Sequence, residues 1–365
     1  MNALATIIRD MIVEDGPISL ERYMALALGH PAHGYYRTKT PLGASGDFIT
    51  APEISQMFGE LIGLWCVEVW RLMGEPKSLH LVELGPGRGT LMADLLRAAR
   101  VEPRFRSAID LHLVETSAPL RRSQRQAIEG CGIPASWHES IEEAPSGAVI
   151  VIANEFFDAL PVRHYVHQDG GWRERQVGLD AQGRLSFGLA PEPEPGLSAP
   201  GAHGEILEVG LAASHLMLTL ATRIAEQGGA LLAIDYGYCE PSRGETLQAV
   251  RRHGFADPLH DPGEADLTAH VDFCSLERAA RAAGAQVHGP APQGQWLARL
   301  GIFERAAMLR SHADQSQCAA IDAALERLAG TPGADSATDM ARLFKVLAVT
   351  PPDFPAPPGF EMESP

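Results

Sequence analysis

The chain has 365 residues, of which 45% are hydrophobic and 21% charged, a composition typical of a folded globular protein. At this length we expect either one large α/β domain with insertions or two domains. The 30 Lys and Arg residues against 46 Asp and Glu give a formal charge of −16. This charge disfavours a nucleic-acid partner, because phosphate backbones are bound by cationic side chains.

Cysteine and histidine spacing argues against a metal site. The five cysteines are odd in number and far apart, which indicates free thiols in a reducing compartment. The closest histidine pairs, His30 with His33 and His164 with His167, lack the acidic or cysteine neighbours of known metal motifs. We therefore predict no metal cofactor.

The first residues do not have the pattern of a targeting peptide. Their apolar positions have helical spacing and alternate with acidic residues, unlike a signal or transit peptide. No apolar run approaches the about 20 residues that a membrane span needs. We therefore expect a cytoplasmic protein without membrane insertion.

Residues 1–75 are predicted to form an N-terminal helical region with a substrate loop. Helical spacing indicates two helices before residue 29. The Gly- and Pro-rich stretch of residues 29–50 is long for a loop inside a compact domain, and such loops are usually functional. The sequence from Thr50 to Glu53 has the pattern of a capping box, which predicts the start of a third, apolar helix.

Residues 76–350 are predicted to form an α/β domain. Short apolar runs alternate here with helical segments, which predicts a doubly wound, mostly parallel sheet with helices on both faces. Two stretches break this alternation, at about residues 161–205 and 240–272, and we interpret them as inserted β-rich and loop segments. The Pro-rich residues 351–365 are expected to form a loose tail.

The stretch "LVELGPGRGT" places three glycines, Gly85, Gly87 and Gly89, at a strand-to-helix turn. A phosphate-binding P-loop needs a Lys followed by Ser or Thr after the last glycine, and Leu91 follows Thr90 here. A dinucleotide-binding fold prefers the spacing G-x-G-x-x-G with an acid about 20 residues further on. The three glycines here are spaced differently, so a dinucleotide is possible but matches this turn poorly. A purely structural glycine turn remains an alternative.

S-adenosylmethionine fits the same turn better. This ligand needs glycines for close backbone approach, an acid near its cationic end and an acid for its ribose hydroxyls. Glu83 stands two residues before Gly85, and Glu115 ends the next predicted strand. The pattern therefore favours a cofactor site formed by Glu83, Gly85, Gly87, Gly89 and Glu115.

Asn154 and Glu155 stand at the carboxyl end of the strand "AVIVIAN", where a doubly wound sheet places its reacting groups. A carboxylate can hold a guanidinium bidentately and orient one nitrogen for attack. We predict that Glu155 and Asn154 are catalytic and that Asn154 also contacts the cofactor. The alternative is that Glu155 caps the turn that follows it.

The stretches "SGDFITAPEISQMFGE", "LVELGPGRGTL", "NEFFDALP" and "ADLTAHVDF" resemble the MidA-like family, methyltransferases that include a mitochondrial complex I assembly factor. The resemblance runs in order from about residue 34 to 295. It implies a class I, Rossmann-like methyltransferase domain that uses S-adenosyl-L-methionine. For the mitochondrial relatives it implies methylation of an arginine on a subunit of respiratory complex I.

From residues and resemblance together we predict a methyltransferase that acts on an arginine of a protein substrate, such as a complex I subunit. The alternatives are a methyltransferase for a small molecule or another residue, and a non-catalytic assembly factor with the same fold. Five motif residues could have either a functional role at the site or a purely structural one: Asp47, Phe48, Asp266, His270 and Asp272.

Overall fold

The structure is a computed structural model that describes residues 2–39, 50–240, 243–251, 254–330 and 340–361. The helices in chain order are α1 (Ala3–Asp15), α2 (Leu20–Gly29), α3 (Tyr35–Thr38), α4 (Ala51–Ile54), α5 (Gln56–Leu72), α6 (Thr90–Ala98), α7 (Pro103–Ala108), α8 (Ala118–Ile128), α9 (Leu211–Gln227), α10 (Phe273–Ala282), α11 (Gln293–Arg299), α12 (Ile302–Arg310), α13 (Gln315–Ala329) and α14 (Met340–Leu343). The strands are β1 (Ile18–Ser19), β2 (Leu79–Leu84), β3 (Ile109–Val114), β4 (Ala135–His138), β5 (Val149–Asn154), β6 (Arg163–Gln168), β7 (Gly171–Leu179), β8 (Leu185–Leu189), β9 (Ile206–Val209), β10 (Gly229–Tyr238), β11 (Gln248–Arg251), β12 (Gly254–Ala256), β13 (Asp266–Thr268), β14 (Val271–Asp272), β15 (Gln286–Pro292) and β16 (Phe344–Thr350).

The central sheet has the strand order β15-β16-β10-β5-β2-β3-β4, with β14 beside β10. The strands from β10 to β4 run parallel, whereas β16 runs antiparallel to both of its neighbours, β10 and β15. This order confirms the predicted doubly wound, mostly parallel sheet. The winding direction changes between β2 and β5, so the carboxyl ends of these two strands open the crevice in which such folds bind ligands.

Helices cover both faces of the central sheet. Because side chains alternate along a strand, Leu81 joins the core beneath α5 and α6 while its neighbour Val82 joins the core beneath α9 and α10. Both residues are fully buried. Among the described residues, no helix combines the length and apolar character needed to cross a membrane.

The apolar helix predicted to open at Thr50 is interrupted at Ser55. Ser55 is extended, with φ of −159°, and its Oγ accepts a hydrogen bond from Met57 N at 3.2 Å, so that it caps α5. Thr50 makes no side-chain capping bond, and the predicted capping box is wrong. Glu53 instead accepts a hydrogen bond from Thr90 Oγ1 at 2.5 Å and so connects α4 to α6.

The N-terminal helices and the segments at residues 161–205 and 240–272 share a separate core. One sheet has the order β1-β7-β6-β9 with β8 beside β7, and a second has the order β12-β11-β13. Ile8 of α1, Val177 of β7 and Leu267 of β13 pack in the same cluster. The N-terminal region therefore packs against both segments at the side of the central sheet.

Residues 351–361 form neither helix nor strand but lie against the fold. The ring centroids of Phe360 and Trp296 are 6.4 Å apart, and Phe360 lies 6.2 Å from His288. Phe354 also packs against the main core. This part of the tail therefore covers α11 and β15.

Candidate active site

A cavity of about 290 Å³ lies at the carboxyl ends of β2, β3 and β5. Most of the residues that the sequence indicated for cofactor binding or catalysis line it: Glu83, Gly85, Gly87, Glu115, Asn154 and Glu155. Its apolar wall includes Leu91, Val114 and Leu120. The structure thus brings together residues that are far apart in the sequence.

The glycine turn owes its shape to left-handed backbone at Gly85 and Gly87, with φ of 60° and 55°. A Cβ on Gly85 would lie 2.8 Å from Phe156 Cδ2, so no larger residue fits there. Gly89 is not among the lining residues, and a Cβ on it would lie 3.0 Å from Gln124 Cα. Gly89 therefore serves the close approach of α6 and α8.

Glu83 is buried, and its Oε2 has no hydrogen-bond partner among the described residues. Burial raises the pKa of this carboxyl to about 8. A buried oxygen without a partner is costly unless a ligand satisfies it. The amino group of a methionine moiety is a donor that fits this atom and its charge.

Glu115 is held in position by two hydrogen bonds. Its Oε1 accepts from Ser117 N at 2.7 Å, and its Oε2 accepts from Gln124 Nε2 at 3.1 Å. Burial raises the pKa of Glu115, and the hydrogen bond from Ser117 opposes that shift. Each oxygen keeps a further lone pair, so the carboxylate can accept hydroxyl groups from the cavity.

Gln124 is a site residue that the sequence analysis missed. Its Nε2 also donates to Gly87 O at 2.8 Å, and its Oε1 accepts from Trp137 Nε1 at 2.8 Å. This amide connects the glycine turn to Glu115 and fixes the distance between them. A lone glutamine in an amphipathic helix has no sequence signal that would single it out.

Asn154 is buried, and its Oδ1 has no hydrogen-bond partner among the described residues. Its Nδ2 donates to Glu155 Oε1 at 3.3 Å. The cavity therefore contains two unsatisfied buried oxygens, one on β2 and one on β5.

Glu155 stands in left-handed backbone, with φ of 48°. Its Oε1 accepts a hydrogen bond from Ala51 N at 2.9 Å, at the first turn of α4. Burial raises the pKa of Glu155 to about 7, the Ala51 hydrogen bond opposes this shift, and the charge of Asp158 adds to it. Glu155 therefore keeps its proton to a higher pH than an exposed glutamate does.

Asp235, not Glu155, caps the turn after β5. Its Oδ2 accepts from the backbone N of Phe156, Phe157 and Asp158 at 3.1, 2.9 and 3.2 Å. Burial raises the pKa of Asp235 well above its usual range, and the charge of Asp158 raises it further. The sequence analysis missed Asp235 because it lies inside an apolar strand distant in the chain.

Of the motif residues left open by the sequence, Asp266, His270 and Asp272 are not among the residues that line this cavity. Tyr36, which does line the cavity, donates to Asp266 Oδ1 at 2.9 Å. Asp272 accepts from Ser275 N at 3.0 Å and caps α10, and His270 N donates to Thr246 Oγ1 at 2.8 Å. Asp47 and Phe48 lie outside the described residues.

The residues of the cavity fit S-adenosyl-L-methionine. The unpartnered Glu83 Oε2 suits its amino group, and the positioned Glu115 carboxylate suits its ribose hydroxyls. The apolar wall at Leu91, Val114 and Leu120 suits its adenine. Glu155 lies at the end of β5, where an acceptor group can approach.

Comparison with known proteins points to the same chemistry. Residues 61–291 match the family described as "Putative S-adenosyl-L-methionine-dependent methyltransferase". The chain is 40% identical over 333 residues to "Protein arginine methyltransferase NDUFAF7, mitochondrial" of Danio rerio, which covers 84% of this chain and 78% of that protein. The protein of the same name from Homo sapiens is 39% identical over 325 residues, 82% of this chain and 73% of that protein.

A solved structure agrees with these sequence relatives. The crystal structure of a "likely methyl transferase" from Burkholderia thailandensis, bound to S-adenosyl-homocysteine, superposes with a TM-score of 0.83. It is 28% identical and covers 99% of this chain and 93% of that chain. A second, native structure from the same organism has a TM-score of 0.81 at 29% identity, covering 99% of this chain and 92% of that one.

Proposed function

Because this chain belongs to the S-adenosyl-L-methionine-dependent methyltransferase family, we propose that it methylates an arginine side chain of a protein. The observation that carries the arginine assignment is the Glu155 carboxyl at the end of β5, beside the cofactor cavity. Relatives named as protein arginine methyltransferases support it.

The charge around Glu155 suits a cationic acceptor. Glu155 has a raised pKa of about 7, and the charge of Asp158 contributes to it. A guanidinium stabilises the ionised carboxylate, so its arrival shifts Glu155 from partly protonated to ionised. An uncharged small molecule offers the carboxylate no such charged pair.

The geometry leaves one oxygen of Glu155 for that pair. The hydrogen bonds from Ala51 N and Asn154 Nδ2 both fall on Oε1. These two bonds fix the orientation of the carboxyl group and leave Oε2 to accept from an incoming N–H. The carboxyl group of Glu155 is thereby positioned before the substrate arrives. Such positioning of the reacting groups supplies most of the acceleration of a direct displacement.

The bound cofactor supplies an electrophilic methyl group on a sulfonium. Glu83 and Glu115 would hold the amino and ribose parts of the cofactor, and Glu155 would hold the acceptor nitrogen beside it. The nitrogen loses its proton late, and the Glu155 carboxylate is placed to accept it. No strong base is required.

We further propose that the acceptor is a protein and that a subunit of respiratory complex I is the first to test. The formal charge of −16 favours association with a basic protein segment. The resemblance to the MidA-like family supports the choice of complex I.

The experiment is to incubate the purified protein with radiolabelled methyl donor and a lysate of the source cells. We expect one or more protease-sensitive labelled bands, which are much weaker at the same incubation time with the Glu155→Gln variant. Label confined to small molecules would contradict a protein acceptor. Absence of all label, with intact binding of S-adenosyl-homocysteine, would support a non-catalytic assembly factor instead.

A further inference from the structure

Three neighbouring strands present a row of histidines on one face of the central sheet, away from the cavity. In the register of the sheet His80 of β2 is opposite Asp110 of β3, and His112 of β3 is opposite Val82. His138 of β4 is opposite Val114. Because side chains alternate along a strand, His80, Asp110, His112 and His138 lie on the same face.

Three ligand atoms of this row form a nearly equilateral triangle. Asp110 Oδ2 lies 3.3 Å from His80 Nδ1 and 3.1 Å from His112 Nε2. The two nitrogens are 3.2 Å apart. Ligands about 2.0 to 2.1 Å from a tetrahedral zinc ion are separated from one another by roughly 3.3 Å.

The other nitrogens of both rings are engaged as they are in metal-bound histidines. His80 Nε2 lies 3.2 Å from Ser146 O, which can only accept, so Nε2 carries the proton and Nδ1 keeps its lone pair. His112 Nδ1 lies 2.9 Å from His138 Nε2. Donation from His112 Nδ1 to His138 leaves the lone pair of His112 Nε2 directed at Asp110.

With both rings neutral and His80 protonated at Nε2, the three atoms cannot all be satisfied without a cation. A neutral His112 offers at most one N–H to the group, and His80 Nδ1 and Asp110 Oδ2 then face each other as two lone pairs at 3.3 Å. A divalent cation satisfies all three lone pairs at once.

The group is open to solvent on one side. The Asp110 side chain is 53% exposed, whereas His112 is 3% and His80 13% exposed. An ion can therefore enter past Asp110, and water can complete its coordination. Two imidazoles and one carboxylate suit zinc or a similar transition metal better than Mg²⁺ or Ca²⁺, which prefer oxygen ligands.

We propose that His80, Asp110 and His112 bind a divalent transition metal ion of the zinc type, with solvent as the remaining ligand. The site joins β2 to β3 and, through His138, to β4. It lies outside the cavity lining, so its expected effect is on stability, not on methyl transfer. It also contradicts the expectation from sequence spacing that no metal is bound.

The test is titration of the chelator-treated full chain with Zn²⁺ by calorimetry, for the wild type and for Asp110→Asn. Asp110 is exposed, so its substitution should leave the fold intact, and unchanged S-adenosyl-homocysteine binding checks this. We expect one saturable equivalent in the wild type and at least about tenfold weaker affinity in the variant, since even changes in groups that only hydrogen-bond to a ligand cost 10- to 100-fold. His80→Ala should lose the same equivalent.

The matched control is His215→Ala, which removes an exposed histidine on α9 and should keep the equivalent. Co²⁺ should give a spectrum without thiolate charge transfer, and Zn²⁺ should raise the melting temperature of the wild type by a few degrees but not that of Asp110→Asn. The proposal would be overturned if the calorimetric titration showed no bound Zn²⁺ whose affinity depends on Asp110. It would also be overturned if the Co²⁺ spectrum showed thiolate charge transfer that Asp110→Asn leaves unchanged.

Discussion

Glu155 Oε1 accepts a hydrogen bond from Ala51 N at 2.9 Å, which fastens the first turn of α4 to the carboxyl end of β5. The same carboxyl group lines the cofactor cavity. Glu155 therefore has both a structural contact and a place at the proposed reaction centre. Substitutions that remove one role and keep the other show which of them matters.

Glu155→Gln keeps an oxygen for Ala51 N but removes the charge that we propose holds a guanidinium. We expect single-turnover methylation at least about tenfold slower, with S-adenosyl-homocysteine affinity close to wild type because other residues hold the cofactor. The control is Glu142→Gln, the same chemical change on an exposed residue outside the cavity lining. Near-normal transfer in Glu155→Gln would leave Glu155 with its structural contact alone.

Glu155→Ala removes the acceptor of Ala51 N as well. We expect it to be less stable than Glu155→Gln, by about 1 kcal/mol, which is the contribution of a typical hydrogen bond. Melting curves of both variants measure this difference. Equal melting temperatures would mean that the bond to α4 contributes nothing to stability.

Glu115→Gln tests the proposed ribose contact. The amide keeps one acceptor oxygen, so one ribose hydroxyl loses its partner and binding of S-adenosyl-homocysteine should weaken by about 1 to 3 kcal/mol. Calorimetric titration measures this, again with Glu142→Gln as the control. Wild-type affinity in Glu115→Gln would place the ribose elsewhere.

Glu83 predicts a proton release on cofactor binding. Its pKa is raised to about 8, so the free protein holds this proton at pH 7. A cationic amino group beside Glu83 Oε2 favours the ionised form and lowers the pKa, so S-adenosyl-homocysteine should displace a proton. Titrations at pH 7 in buffers of different ionisation enthalpy measure the release, and Glu83→Gln should abolish it. Proton uptake, or a release retained in Glu83→Gln, would exclude this contact.

The same carboxyl group affects stability in a defined pH window. The folded pKa of about 8 exceeds the ordinary value of 4.5, so the unfolded chain loses this proton at lower pH than the folded one. Stability from Glu83 is therefore highest below about pH 4.5 and falls as pH rises towards 8. In denaturant unfolding, the free energy of unfolding of the wild type should fall with rising pH relative to that of Glu83→Gln. If the stability of the wild type relative to Glu83→Gln rose with pH over this range, the burial argument would be contradicted.

Gly87→Ala tests the glycine turn. A side chain at φ of 55° is strained by about 1 to 2 kcal/mol, and valine adds β-branching, so alanine is the milder change. The matched control is Gly132→Ala, with φ of 72° and only Arg106 near the new Cβ. Both variants should lose similar stability, and only Gly87→Ala should lose cofactor affinity. Equal affinities would leave the turn purely structural.

The sequence was informative where the signal is local. Apolar periodicity predicted the doubly wound sheet, and the glycine turn with Glu83 and Glu115 predicted residues that the fold gathers in one cavity. Asn154 and Glu155 were predicted because one ends and the other directly follows an apolar strand.

Other features depend on contacts between distant segments and had no local signal. Asp235 caps a turn that lies far away in the chain, and Gln124 joins Gly87 to Glu115. The triangle of His80, Asp110 and His112 exists only through the register of β2 and β3. No periodicity within one segment reports on such pairings.

The most direct measurement of the central claim is the chemical identity of the labelled residue. Protein labelled by the purified enzyme is hydrolysed completely, and the labelled amino acids are separated against methylated standards. The account predicts label in N-methylated arginine with the wild type and its loss with Glu155→Gln. Label recovered in methyl-lysine, a methyl ester or only a small molecule would contradict it.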